Sequence, residues 1–291
     1  MNRRLASLVA VTAAFVVSAC NPLFPPPGPA PLRYRDAVFT SVAKTGNVVY
    51  ATPVSRRTGS PVALGLDVYE PEGDTAARRP VIVWVHGGSF TSGNKSSPEI
   101  VDQATTFAKK GYVNVSIDYR LSATGCAAVA PTFECIYAII DAKHDAQAAV
   151  RWLRANAATY RIDPDRIAID GSSAGAITAL NVGYDATETD QSVNPGWPSD
   201  VRAAVSLSGA RLLGQLDPSD APSLLFHGTS DVVVPYAWAE RTATDAKAAG
   251  LVSFLTSWPG NGHVPYVSHR DEIIDQTTNF LWWELDLEHA T

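Results

Sequence analysis

The stretch Asp170-Gly171-Ser172-Ser173-Ala174-Gly175 limits the possible folds more than any other in this chain. It places a serine between two glycines directly after the apolar run Arg166-Ile167-Ala168-Ile169, so a strand must turn sharply into a helix there. A Gly-x-Ser-x-Gly elbow holds its middle residue, here Ser173, in a strained backbone conformation, and the small flanking residues let strand and helix approach closely. An ordinary Gly/Ser loop between two elements would read the same over five residues. The surrounding pattern has to decide.

That pattern alternates. Short β-prone pieces between Tyr34 and Glu70 suggest antiparallel strands at a sheet edge, and the continuous apolar run Pro80 to Val85 predicts a central strand buried on both faces. A helix over Glu99 to Lys110 leads to a strand Tyr112 to Ile117. A long amphipathic helix ending near Ala158, the elbow strand and a helix Ala174 to Val182 follow. Residues Gly183 to Asp200 read as a surface excursion able to cover part of a site, with Trp197 in it. Strands Val201 to Leu207, Pro222 to Phe226 and Val252 to Trp258, with helices Tyr236 to Ala249 and Tyr266 to Glu284, complete the series. Strands alternating with helices imply right-handed crossovers, hence an α/β domain with a mostly parallel central sheet and helices on both faces. Functional residues in such sheets lie at the carboxyl ends of the strands.

With 291 residues, 46% of them hydrophobic, the chain can bury the core of one large domain, placed at 34–291. A net charge of -6 argues against a nucleic-acid partner, which needs clustered Lys and Arg. The N-terminus reads as an export signal over residues 1–19: Asn2-Arg3-Arg4, an apolar run Leu5 to Val17, then Ser18-Ala19-Cys20. Val17-Ser18-Ala19-Cys20 resembles the bacterial lipobox, which makes Cys20 the expected lipidation site and membrane contact a matter of acyl chains alone; a plain secretory signal is the alternative. Six prolines between Asn21 and Pro31 then predict an extended tether over residues 20–33, able to lift a domain about 30 Å from a surface. In an exported protein Cys126 and Cys135 are expected to pair, closing a short loop that shapes a substrate pocket.

Three chemically apt residues each follow a predicted strand, in the order Ser173, Asp231, His263. A serine hydroxyl is a poor nucleophile until an imidazole accepts its proton and a carboxylate fixes the imidazole's tautomer. His263 is the expected base and Asp231 its orienter, with Asp217 and Asp220 as alternative acids. His86-Gly87-Gly88-Ser89 follows the central strand, and the amides of Gly88, Ser89 and Ala174 are the expected oxyanion donors. His86 and His227 read as structural groups, Asp141 and Asp145 as solvated or helix-pairing charges, and Trp258 as a candidate pocket residue. No metal or organic cofactor is implied.

From about Val81 onward the chain resembles an α/β-hydrolase of the carboxylesterase type. The resemblance rests on His86-Gly87-Gly88, Asp118-Tyr119-Arg120-Leu121, Tyr160 to Ile167, Gly171-Ser172-Ser173-Ala174-Gly175 and His227-Gly228-Thr229-Ser230-Asp231. It is similar to hormone-sensitive-lipase-like esterases and to bacterial acetyl-xylan and feruloyl esterases. It departs from the first group by Ser89, Ser172 and Ala176 where that group shows Gly, Asp and Gly, and by lacking the long N-terminal cap. The resemblance implies an extracytoplasmic serine esterase working through an acyl-enzyme on Ser173, its expected substrates short-chain or carbohydrate/aromatic esters, small-molecule or polysaccharide-borne. A prolyl-oligopeptidase-like peptidase is the second reading, with no propeller-sized domain to support it. A non-catalytic binder on a hydrolase scaffold is the third, against which all three triad residues remain.

Overall fold

The computed structural model describes residues 23–126, 132–185 and 193–290. Residues 1–22, including Cys20, lie outside them. Among the described residues one sheet holds β1 (Val42–Ala51), β2 (Leu64–Pro71), β3 (Arg79–Val85), β4 (Val113–Ile117), β5 (Ile162–Ser172), β6 (Ala203–Leu207), β7 (Ser223–Gly228) and β8 (Ser253–Trp258). Their order is β1-β2-β4-β3-β5-β6-β7-β8. β1 pairs antiparallel with β2 and β2 with β4; every other pair is parallel. The fold is thus α/β with antiparallel N-terminal edge strands.

Strand β3 shows why its run is apolar throughout. Val81, Val83 and Val85 share a core with α2 (Phe133–Ala155) and α4 (Ala174–Gly183), while Ile82 and Trp84 join Phe107 of α1 (Pro98–Lys110) and Phe280 of α6 (Tyr266–Glu284). Alternate side chains meet opposite layers, so no position can be polar without a partner. Arg79 at the strand's start has one: fully buried, it donates to Glu70 Oε1 and to the Tyr160 carbonyl, each at 2.6 Å. The remaining helices are α3 (Ala157–Tyr160) and α5 (Tyr236–Ala248).

Two expectations are corrected here. The proline-rich stretch is not a free spacer from Leu23 onward. Leu23 and Leu32 pack against the α1/α6 core, Arg33 forms a two-pronged bond to Asp74, and the Leu23 and Phe24 carbonyls accept from Asn279 and Trp283 of α6. Leucines and arginines interleaved with the prolines give this segment something to bury and to pair. Of the excursion, residues 186–192 lie outside the described residues. The excursion connects the end of α4 to the start of β6, and Arg154 near the end of α2 holds the Pro198 and Asp200 carbonyls. Asp141 and Asp145 are buried rather than solvated, the latter receiving the Arg120 amide and guanidinium at 2.8 to 2.9 Å.

Candidate active site

The elbow is built as its glycines require. Ser173 has φ 55° and ψ -117°, the strained left-handed side of the map for a residue with a side chain. A Cβ on Gly175 would sit 2.0 Å from the Val85 carbonyl oxygen, so α4 can cross β3 this closely only with glycine there. The turn leaves Ser173 half-exposed at the carboxyl end of β5, with its own amide bonded to the Leu207 carbonyl at 2.9 Å.

The structure brings Ser173, His263 and Asp231 together. His263 Nε2 lies 2.7 Å from Ser173 Oγ, and its Nδ1 lies 2.7 Å from Asp231 Oδ2. The carboxylate can only accept, so the shared proton sits on Nδ1 and Nε2 is left to take the serine proton. Asp231 Oδ1 accepts the Val233 and Val234 amides at 2.8 and 3.0 Å. Burial alone would raise this carboxyl, but hydrogen bonds from His227 and His263, the charge of His263 and the Val233 amide outweigh it. They hold Asp231 well below the usual carboxylate range. The loops after β7 and β8 are stitched together by Ser230 N to Asn261 O and by Gly260 N to Thr229 Oγ1. Asp217 and Asp220 bond to one another's loop and border a separate cavity near Tyr184.

Opposite the triad, the turn after β3 presents its amides. Among the described residues the N–H groups of Gly88, Ser89 and Ala174 donate to nothing. Gly88 has φ 113°, and a Cβ there would meet the Ser92 carbonyl at 2.1 Å. Ser89 and Phe90 take φ of 53° and 63° although neither is glycine. The turn is clamped from outside: Ser122 N and Cys126 N donate to the Phe90 and Ser89 carbonyls, and His86 stacks on Tyr119 at 4.3 Å while the Tyr119 hydroxyl donates to the His86 carbonyl. His86 is therefore a buried brace, as its position suggests. Cys126 and Cys135 form a disulfide that fastens the same loop to the first turn of α2. Trp258 is core, stacked between Phe226 and His269, not pocket.

Two contributors, Ser208 and Glu99, escape sequence reasoning, and His227 proves more specific than the structural group expected there. His227 Nε2 lies 2.8 Å from the Val234 carbonyl and 3.1 Å from Asp231 Oδ2, so a second imidazole braces the acid. Ser208 Oγ accepts the Val264 amide at 3.0 Å and fixes the loop carrying His263. Glu99 of α1 accepts the Ser172 hydroxyl at 3.1 Å, bringing a carboxylate beside the residue where the hormone-sensitive-lipase type carries Asp. The alternation of apolar and polar residues signals none of these, because each depends on which loops the strand order makes adjacent.

Asp170, three residues before Ser173, is buried, its Oδ2 has no hydrogen-bond partner among the described residues, and burial pushes its carboxyl up to about 8. At neutral pH it keeps its proton. An unfolded Asp ionises near ~3.9, so between about pH 4 and pH 8 the native state binds the extra proton and stability falls as pH rises. Asp170→Asn is expected to remove that slope. Its melting temperature should gain on the wild type by several degrees between pH 5 and pH 8, and a gap independent of pH in thermal melts would contradict the assignment.

Comparison with known proteins agrees with this architecture. Residues 66–213 match the BD-FAE family and residues 192–282 the TAP-like protein family. The para-nitrobenzyl esterase of Bacillus subtilis (strain 168) is 33% identical over 116 residues, 40% of this chain and 23% of that protein. Acetylcholinesterase of Gallus gallus is 35% identical over 113 residues, 39% of this chain and 14% of that protein. The chain thus spans less than a quarter of the length of these curated relatives. Esterase 2 of Thermogutta terrifontis, phosphorylated by paraoxon, superposes with a TM-score of 0.63 at 26% identity, covering 84% of this chain and 94% of that one. With the BD-FAE match covering half of its residues, around an elbow, an oxyanion turn and a Ser-His-Asp constellation, this chain belongs to the BD-FAE family and has the α/β-hydrolase fold of the carboxylesterases.

Proposed function

We propose that this protein is a carboxylic-ester hydrolase working through an acyl-enzyme on Ser173. The observation that carries the reading is the unbroken relay Ser173 Oγ, His263 Nε2, His263 Nδ1, Asp231 Oδ2, with 2.7 Å at both hydrogen bonds, facing three uncommitted amides. Ser173 Oγ attacks the ester carbonyl carbon as its proton passes to His263 Nε2. The oxyanion collects the amides of Gly88, Ser89 and Ala174, each worth on the order of 3 kcal/mol of barrier. Collapse breaks the bond to the alcohol oxygen, which takes the proton from Nε2. Water then repeats the sequence: its proton goes to Nε2, its oxygen to the acyl carbon, and Ser173 recovers its hydrogen as the acid leaves.

The alcohol must depart on the side of His263, since that imidazole protonates it. A trough of about 350 Å³ lies there, bordered by His263, Val264, Ser92, Ser97 and Glu99. It adjoins a space of about 480 Å³ bounded by Asp102, Tyr266 and Arg270. An open alcohol side edged by Ser92, Ser97, Glu99 and His263 suits small-molecule or polysaccharide-borne esters.

We further place the domain outside the cytoplasm, attached through a lipid on Cys20. The lipobox-like Val17 to Cys20 and the Cys126–Cys135 disulfide, a bond that persists in oxidising compartments, support this. Because Leu23 is already docked, residues 20–22 would span at most about 10 Å between lipid and domain.

The test pairs a chromogenic ester with the corresponding peptide anilide, followed by titration with an organophosphate, the reagent class that phosphorylates the Thermogutta esterase. Ester turnover, lost in step with one equivalent of label on the Ser173 peptide, is expected. Label at another residue, or turnover of the anilide alone, would refute the proposal.

A further inference from the structure

Among the described residues Glu99 is the one acidic residue on the border of the leaving-group trough, and it also borders the adjoining space of Asp102, Tyr266 and Arg270. Its carboxylate therefore stands where the two spaces meet. Two features hold it there. Its main chain belongs to the first turn of α1, beside the fully buried Ile100, and its Oε1 accepts the Ser172 hydroxyl at 3.1 Å, one residue from the nucleophile. No described Lys, Arg or His forms an ion pair with it. Asp102 differs in this respect: its two oxygens accept Arg270 Nε and a terminal guanidinium nitrogen at 2.6 and 3.0 Å, and the Tyr266 hydroxyl adds a third bond, so that pair is neutral as a unit. Lys95 is committed to Asp67 and Asp118. Burial lowers the His86 imidazole below its ordinary range, so this histidine feels the Glu99 charge but brings no counter-charge.

We infer that Glu99 sorts esters by the charge of their alcohol, favouring cationic leaving groups over neutral ones and rejecting anionic ones; the inference rests on the ester-hydrolase reading above. An alcohol oxygen that takes its proton from His263 Nε2 lays its substituents along the trough, within a few ångströms of a half-buried carboxylate that cannot swing away without losing the Ser172 bond. At that range and in partly excluded water a unit charge of either sign changes the stability of the bound state by about tenfold. The chain's net charge of -6 acts in the same direction but from farther off. Salt screens it beyond about 8–10 Å at physiological ionic strength. Exchanging Glu99 for its neutral isostere therefore isolates the local part. Esters whose alcohol carries a carboxylate or phosphate are the class this residue turns away.

The experiment compares three acetates that share the acyl group and differ in the charge of the alcohol: 3-(trimethylammonio)phenyl, 3-tert-butylphenyl and 3-carboxyphenyl acetate. Each kcat/KM is divided by the same ester's rate in alkali, which removes differences in leaving-group reactivity. The wild type is expected to favour the cationic over the neutral ester, and the neutral over the anionic one, by about tenfold at each step. Glu99→Gln keeps an oxygen that can accept the Ser172 hydroxyl, and should lower the cation-to-anion ratio by about tenfold or more. Glu99→Ala should lower it in the same direction. The ratio is taken within one preparation, so partial misfolding of a variant cancels. An anionic ester turned over as well as the cationic one by the wild type, or a ratio unmoved in both variants, would overturn the charge inference while leaving the hydrolase reading intact. Failure of all three esters would overturn that reading and this inference with it.

Discussion

Ser173→Ala is expected to lower kcat on 4-nitrophenyl acetate by about a millionfold, the scale seen when the nucleophile of a serine-hydrolase triad is removed. The geometry makes this a clean experiment. Among the described residues the Ser173 hydroxyl has one hydrogen-bond partner, His263 Nε2, and His263 keeps its bond to Asp231 when the hydroxyl goes. Alanine carries the same Cβ as serine, so the strain at φ 55° is unchanged and the elbow has no new reason to rearrange. The melting temperature should stay within a few degrees of the wild type. Residual activity should sit well above the rate in water, because the amides of Gly88, Ser89 and Ala174 still receive the oxyanion. A loss below a hundredfold, with an unchanged melt, would remove Ser173 from the nucleophile's role.

The second large effect is expected at Asp231→Asn, about ten-thousandfold in kcat. Asparagine fits the volume but not the donors around it. Asp231 Oδ1 faces two backbone amides and Oδ2 faces His263 Nδ1, with His227 Nε2 3.1 Å away. The asparagine amide has one accepting end and one donating end. With its NH2 toward His263, it forces the imidazole to carry its proton on Nε2, the atom that has to accept from Ser173. With its NH2 toward the loop, it confronts the Val233 and Val234 amides and frees the turn that sets the acid's position. Either orientation disables the relay, and the second also destabilises the fold by about 1–3 kcal/mol for each donor left without an acceptor. Steady-state kinetics with a parallel thermal melt checks both. A variant with near wild-type kcat would show that another group orients His263.

Much of this architecture is legible in the residues themselves. The run from Val81 to Val85 is apolar at every position because both faces are covered, and strand–helix alternation leaves few topologies besides a parallel sheet. Ser173, Asp231 and His263 could be found because each follows a recognisable strand. Boundaries were harder. The elbow strand starts at Ile162, not near Arg166, since Asp163-Pro164-Asp165 has turn composition yet continues β5 beside Arg79. The long helix stops at Ala155, where Asn156 departs from helical geometry and its side chain bonds back to the Trp152 carbonyl. Glu99, His227 and Ser208 acquire their roles only once α1, β6 and β7 lie beside the elbow. That adjacency is set by strand order, which no local pattern encodes.

The docked segment at Leu23 and Phe24 bears on which way the molecule looks. Its contacts, Asn279 and Trp283, sit toward the last turns of α6, and the residues just beyond them, Glu284 and Leu285, bond to Arg202 and Arg166 at the amino ends of β6 and β5. The first turn of α6 holds Tyr266, on the border of the space next to the leaving-group trough. At 1.5 Å per residue these two ends of the helix are about 25 Å apart. A chain tethered through the residues before Leu23 would therefore turn its catalytic mouth away from the surface that holds it. On the proposed attachment through Cys20, its esters would arrive from the side facing away from the lipid.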